Sequence, residues 1–180
     1  SGTLSFSQNS DILREFVVFN SSNLLEPTFV AGVQNQNLHN LSTPNLVIVT
    51  TSEFLSEANR IANHRRDRDN LKVHVITTSK IYNEFSSGKQ DVSAIRNFMK
   101  MFYDRSDGAK LKYLMLLGDA SYDYKNRIAN NTNHVPVYES RNSGSPILSH
   151  SSDDFYAFLD DDEGTMCESS FTSTSCTLLE

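Results

Sequence analysis

Three short apolar runs constrain this chain more than any other feature. They are Leu46-Val47-Ile48-Val49, Val73-His74-Val75-Ile76-Thr77 and Tyr113-Leu114-Met115-Leu116-Leu117. Each is brief, rich in branched or bulky residues, and bounded by polar ones. That is the pattern of a strand buried on both faces, as in a parallel sheet. Between the runs, apolar residues recur at helical spacing instead. Phe54, Leu55, Ala58, Ile61 and Ala62 form one stripe; Val92, Ile95, Phe98, Met99 and Phe102 form another. Thr51 or Ser52 is a candidate cap for the first helix, with Glu53 in its first turn and His64, Arg65, Arg66 and Arg68 at its negative end. Asp91 is the candidate cap of the second.

Strand, helix, strand, helix, strand is the order of an α/β domain: a parallel sheet flanked by helices, joined by right-handed crossovers. In such sheets ligand-facing chemistry lies beyond the carboxyl ends of the strands. Those ends are Thr50-Thr51-Ser52, Thr77-Thr78-Ser79 and Gly118-Asp119-Ala120-Ser121-Tyr122. A loop through Ser86-Ser87-Gly88 follows the second strand. Val135-Pro136-Val137-Tyr138 reads as a short edge strand, because proline cannot donate to a central ladder. Phe155 to Leu159 reads as another.

The flanks are weaker in pattern. Residues 1–44 are polar and Asn/Ser-rich, with one strand-like run, Glu15-Phe16-Val17-Val18-Phe19. They read as a β-containing segment and linker that precede an α/β domain over 45–164. Residues 165–180 read as an irregular tail, truncated or appended. At 180 residues the chain suits one domain with added segments, and a domain near this size buries roughly 70% of its unfolded surface. The formal charge of −6 argues against nucleic acid, which needs clustered Lys and Arg. No apolar run approaches the ~20 residues that span a bilayer, and no leader is visible at the start.

Candidate chemistry is sparse. Asp119 at the end of the third run could bind a metal or orient a catalytic group, but Gly-Asp is also ordinary turn chemistry. Asp160, Asp161 and Asp162 are the candidate oxygen ligands for Ca²⁺; their spacing is not that of an EF-hand loop, and a solvated acidic loop is the favoured reading. No other cofactor is implied, and no residue set forms a metal motif. Cys167 and Cys176 sit in the Ser/Thr-rich tail with no histidine nearby in sequence, which suits a disulfide or two idle thiols. There is no phosphate-binding Gly-rich loop, no G-x-S-x-G elbow and no H-E-x-x-H. On the residues alone, this is an α/β domain without a complete active site.

Several stretches resemble the gingipain-type cysteine peptidase family, and within it the PorU-like sortase branch of type IX secretion. They are Asn35 to His39, Ile81 to Gly88, Asp91 to Phe98, Lys112 to Tyr124, Val135 to Ser140 and Ser152 to Tyr156, in the family's order. The resemblance implies a caspase-like fold of two subdomains. It puts the catalytic His and Cys in the second, so that no catalytic residue is carried over to this chain. The implied partner is then the downstream catalytic subdomain of the same parent chain. Asp119, Tyr122, Asp123, Tyr124, Asp153, Asp154 and Tyr156 are the loop residues expected at or near that interface. The resemblance further implies an outer-membrane or cell-surface protein of Bacteroidetes type. It would process C-terminal sorting signals of secreted cargo proteins alongside other secretion-system components.

Two readings compete with it. One is a non-enzymatic α/β binding module of a cell-surface protein, since fold does not fix function. The other is a Mg²⁺-dependent receiver-like domain built on Asp119.

Overall fold

The computed structural model describes residues 3, 5–9, 11–20, 22, 24–29, 32–106, 110–140 and 150–161. The chain divides into two units, Ser1–Asn35 and Gln36–Glu180. The first holds no α-helix or β-strand among its described residues. The run Glu15 to Phe19 is therefore not a strand here, because no described segment supplies a ladder for its backbone. Within this unit the rings of Phe6 and Phe16 lie 4.9 Å apart.

The second unit carries the sheet. Strand β1 spans Leu46–Thr50, β2 Val73–Thr77 and β3 Tyr113–Leu117. All three are parallel in the order β2-β1-β3, with Ile48 opposite Val75 on one side and Met115 on the other. Every residue of β1 is buried, as a central strand covered on both faces requires. Period-two alternation then divides the core. Val47 and Val49 face helices α2 (Thr78–Phe85) and α3 (Val92–Ser106), where they join Ile81, Ile95 and Phe98. Leu46 and Ile48 face helix α1 (Leu55–Asp69), packing on Ala58 and Ala62. Phe98 binds the larger cluster together, meeting Phe85 and Phe102 edge-on at 5.5 and 5.0 Å.

The structure departs from the sequence pattern in four places. Helix α1 begins at Leu55 with no side-chain cap, and Thr51 Oγ1 is buried without a partner, so neither Thr51 nor Ser52 caps it. Helix α2 starts directly after β2, where a loop is the sequence expectation. Its local pattern is short, but packing of Ile81 and Tyr82 into the core forms it. The 135–138 run pairs only at its end: β4 (Tyr138–Glu139) runs antiparallel to β5 (Ser151–Ser152). Residues Asp153–Ala157 form a 3-10 helix rather than a strand, because Ser152 Oγ accepts the Asp154 N–H at 3.1 Å and turns the chain. Asp91 does cap α3, its Oδ1 accepting the Ser93 N–H at 2.8 Å. Residues 162–180, including Asp162, Cys167 and Cys176, lie outside the described residues. Among those described, no helix is long and apolar enough to cross a membrane.

The α/β unit also begins earlier than residue 45. Glu84 on α2 anchors the stretch Gln36 to Asn40. Its Oε1 accepts from the Leu38 N–H at 2.7 Å and Gln36 Nε2 at 2.9 Å, and its Oε2 lies 2.7 Å from His39 Nδ1. The His39 ring stacks on Phe85, and Leu38 is buried. Desolvation by itself would raise the Glu84 carboxyl, but these donors outweigh it and hold its pKa below the ordinary 4.5.

A depressed folded-state pKa contributes stability that is present above the unfolded value of 4.5 and is lost as pH falls through the lowered folded value. Glu84→Gln should thus lower the melting temperature at neutral pH, with the gap to wild type narrowing in acid. A gap that stays constant with pH would contradict this role. Gly118 has φ +143°, and a Cβ there would sit 2.8 Å from that of His134. Gly118→Ala should cost about 2 kcal/mol or more in a denaturant titration; a change under about 0.5 kcal/mol would show that the turn can relax.

Candidate functional site

The carboxyl end of β3 opens a loop that folds back on the sheet. Gly118 allows the sharp departure. The Asp119 carbonyl then accepts from the N–H groups of His134 at 2.8 Å and Val135 at 3.2 Å, closing residues 119–134 into a compact loop. Asp123 organises its interior. This residue is buried; its Oδ2 accepts the Ile128 N–H at 2.6 Å and its carbonyl accepts Asn131 Nδ2 at 2.9 Å. Asn133 Oδ1 receives the Ser121 N–H at 3.2 Å. Asp119 and Asp123 thus act here through turn chemistry, Asp119 by its carbonyl and Asp123 by its carboxylate.

The tyrosines divide by environment. Tyr122 is 78% exposed on the loop. Tyr124 is tied down: its hydroxyl donates to the Gln90 carbonyl at 2.8 Å, while Gln90 Nε2 returns a bond to the Tyr124 carbonyl at 3.1 Å. Tyr156 is fully buried and donates to the Pro136 carbonyl. Burial first, then proximity to Tyr82, pushes its phenol far above the ordinary value. Tyr82 is raised by the same cause, and its hydroxyl is buried without a partner. These phenols stay neutral at any physiological pH. Tyr124 and Tyr156 therefore secure the loops of 119–134 and 153–157 to the core.

Two acids of the acidic stretch, Asp160 and Asp161, have partners among the described residues. Asp160 Oδ1 accepts from the Tyr103 hydroxyl at 2.7 Å. Asp161 lies 2.8 Å from Lys100 Nζ, which also reaches Asp104 at 3.1 Å and the Leu159 carbonyl at 2.8 Å. The hydrogen bond to Lys100 holds the Asp161 carboxyl below its usual range. Asp153 and Asp154 are exposed at the start of the 3-10 helix. Among the described residues no three His, Cys, Asp or Glu side chains converge as a metal set would.

At the same sheet end lies a pairing that sequence reading missed. His134 stands edge-on to Phe54, with ring centroids 4.9 Å apart, and its Nδ1 is 3.7 Å from Glu53 Oε2. These residues are some eighty positions apart, so no local signal joins them. Thr50 Oγ1 donates to the Leu117 carbonyl at 2.8 Å, sealing β1 to β3 at this end.

The site therefore presents braced loops at one end of β3, which among the described residues is an edge strand and incompletely covered. Its burial falls to partial over Leu114–Leu117, and Tyr113 is 55% exposed. A cavity of about 970 Å³ lies on the α1 side, lined by Leu46, Ile61, Leu71, Tyr113 and Met115 and, from α1, by Arg60, His64, Arg65 and Asp69. Another of about 480 Å³ lies on the α3 side, lined by Met99, Leu111, Leu114, Leu116 and Leu159, with Tyr113, Asp153, Asp154 and Tyr156 at it.

Comparison with known proteins agrees with this geometry. Residues 39–174 match the family model of peptidase family C25. Among solved structures, the chain is similar to dimeric latent PorU from Porphyromonas gingivalis, at 34% identity and a TM-score of 0.60. That match covers 72% of this chain and 13% of the PorU chain. No curated protein matches. A family match spanning most of the α/β unit and a shared fold at this identity place the chain in peptidase family C25, the gingipain family of cysteine peptidases.

Proposed function

We propose that the α/β unit is the supporting subdomain of a cysteine peptidase or sortase whose nucleophilic thiol and histidine come from another part of the same parent. The observation that carries this reading is the unfinished edge of the sheet. Within the described residues β3 has one neighbour, β1. Its residues form a continuous apolar run, the pattern of a strand meant to be covered on both faces. Instead, among the described residues, open space flanks it on each side, with apolar side chains at the strand and charged ones of α1 at the rim of the larger space. An edge of this kind is an association hazard unless something covers it. A further strand on β3, with helices beside it, would occupy both cavities.

The division of labour then has a physical logic. The thiolate, activated by its histidine, attacks the scissile carbonyl; backbone N–H groups stabilise the oxyanion. The amine leaves with a proton, and the acyl-enzyme is released by water in hydrolysis or by another nucleophile in transfer. The present unit would contribute no atom to these steps. It would hold the sheet end and present Asp119, Tyr122 and the 153–157 segment beside the substrate. By similarity to PorU-like sortases, the substrates would be secreted proteins carrying C-terminal sorting signals. The reaction would then take place outside the cytoplasm, at the outer membrane or cell surface, next to other secretion components.

Two measurements test this. The chain alone and its full parent are treated with fluorogenic peptides and a thiol-directed covalent inhibitor. Cleavage and labelling in the parent only are expected; activity in the chain alone, abolished by changing Cys167 or Cys176, would overturn the reading. If both are silent while folded, the non-enzymatic binding module takes its place. Separately, Tyr113→Asp should change the stability of the chain alone by less than about 1 kcal/mol, as at other half-exposed sites, yet cut the parent's activity by at least about tenfold, equivalent to ~1.4 kcal/mol. Undiminished parental activity would show that β3 is not covered.

A further inference from the structure

The α1-side cavity beside β3 has a floor and a rim of opposite character. Leu46, Ile61, Leu71, Tyr113 and Met115 make the floor. It continues the smaller core, where Ile61, Leu71 and Met115 pack against the cluster that holds Ala58 and Ala62. Arg60, His64, Arg65 and Asp69 of α1 make the rim. Arg65 and Asp69 satisfy each other at 2.9 Å. Arg60 and His64 are exposed, and neither has an ion-pair or hydrogen-bond partner among the described residues. Glu57, one turn before Arg60, does not pair with it. The helix gives no reason of its own for Arg60. Its macrodipole favours cations only in the last turn, and α1 runs on to Asp69. In a chain of net charge −6, this is an unmatched cation at the mouth of an apolar groove.

We infer that this groove is the docking site of an amphipathic helix whose apolar face meets Ile61, Leu71 and Met115 and whose acidic side chains meet Arg60 and His64. This deepens, and rests on, the reading that β3 is covered in the parent. The layer selects the kind of element. A parallel sheet carries helices on its faces; α1 already lies on this face, and the position beside it, over β3, is open. Two turns of helix, ~11 Å long and ~10 Å across, occupy roughly 850 Å³, comparable with the cavity's 970 Å³. The charge selects its chemistry. An apolar element alone would take Arg60 out of water without a partner, which is unfavourable for a guanidinium. A basic one would meet Arg60 with like charge. A carboxylate opposite it can take up the paired N–H groups that a guanidinium presents.

Arginine labelling with phenylglyoxal, read at each residue by mass spectrometry, tests the contact in this chain and in its folded parent. Arg60 should react in the chain alone and lose most of its reactivity in the parent. Arg60→Lys, Arg60→Gln and Arg60→Glu then read the charge. The parent's melting temperature should fall in that order. The gap between the Gln and Glu forms should shrink with added salt, because ions screen the repulsion. In the chain alone the three should melt alike. Equal melting of the three in the parent would overturn the inference. So would a parent made more stable by Arg60→Glu, which would give the facing element a basic surface. Labelling of Arg60 in the chain alone that slows as concentration rises would make a second copy the occupant, and overturn it too. The β3 amides that face away from β1 follow the covered-edge reading separately in the same samples. If they are protected in the parent while Arg60 reacts freely, the edge is covered, the groove is not, and only this inference fails. If they exchange freely, the covered-edge reading itself fails.

Discussion

Everything in the α/β unit depends on one strand. Residues Leu46–Thr50 are wholly buried and lie between β2 and β3. Because side chains alternate, five residues supply the centre of two separate cores. Val47 and Val49 meet the aromatic cluster under α2 and α3, while Leu46 and Ile48 meet the small face of α1. The alanines at 58 and 62 let that helix lie close, and Arg66 reaches back from its last turn to donate to the Val73 carbonyl at 2.7 Å. Where β1 ends, the Thr50 hydroxyl bonds to the end of β3 and fixes the sheet's carboxyl edge. The loops that leave that edge are then pinned by their own turn chemistry and by buried tyrosines.

That construction is asymmetric. On the β2 side the sheet is bordered by its own helices. Among the described residues β2 and β3 each pair only with β1, but β3 is the less buried of the two, with its apolar residues half covered. The chain belongs to a peptidase family, and its match covers 13% of the similar PorU chain. An exposed apolar strand edge is an association hazard unless something covers it. The clamp of Gln36, Leu38 and His39 around Glu84 fixes where the unit begins.

The three strands and two long helices were legible because their periods are unambiguous. Branched apolar runs of five residues and stripes such as Ile95, Phe98, Met99 and Phe102 leave little choice. Helix α2 was not legible, since eight residues with one buried patch carry too little periodicity and tertiary packing decides. The run Phe155 to Leu159 suggests a strand because its aromatics suit either form, whereas Asp153–Ala157 is a 3-10 helix, and the deciding element is the Ser152 side-chain bond. The site was less legible still. Asp123 and Tyr156 stood out by type, yet their partners, Ile128 and Pro136, are set by the fold. The meeting of His134 with Glu53 and Phe54, and the Glu84 clamp, join residues too distant in sequence for any local pattern to register.

The open edge of β3 is the claim on which the functional account turns. Its most direct test is residue-resolved amide exchange along Tyr113–Leu117 in this chain and in its full parent. In a parallel strand alternate amides point to opposite neighbours. The account predicts that the amides facing away from β1 exchange freely in the chain alone and are protected by about two orders of magnitude or more in the parent. Equal, rapid exchange of those amides in a folded and active parent would contradict it, leaving β3 a true edge and the catalytic residues placed elsewhere.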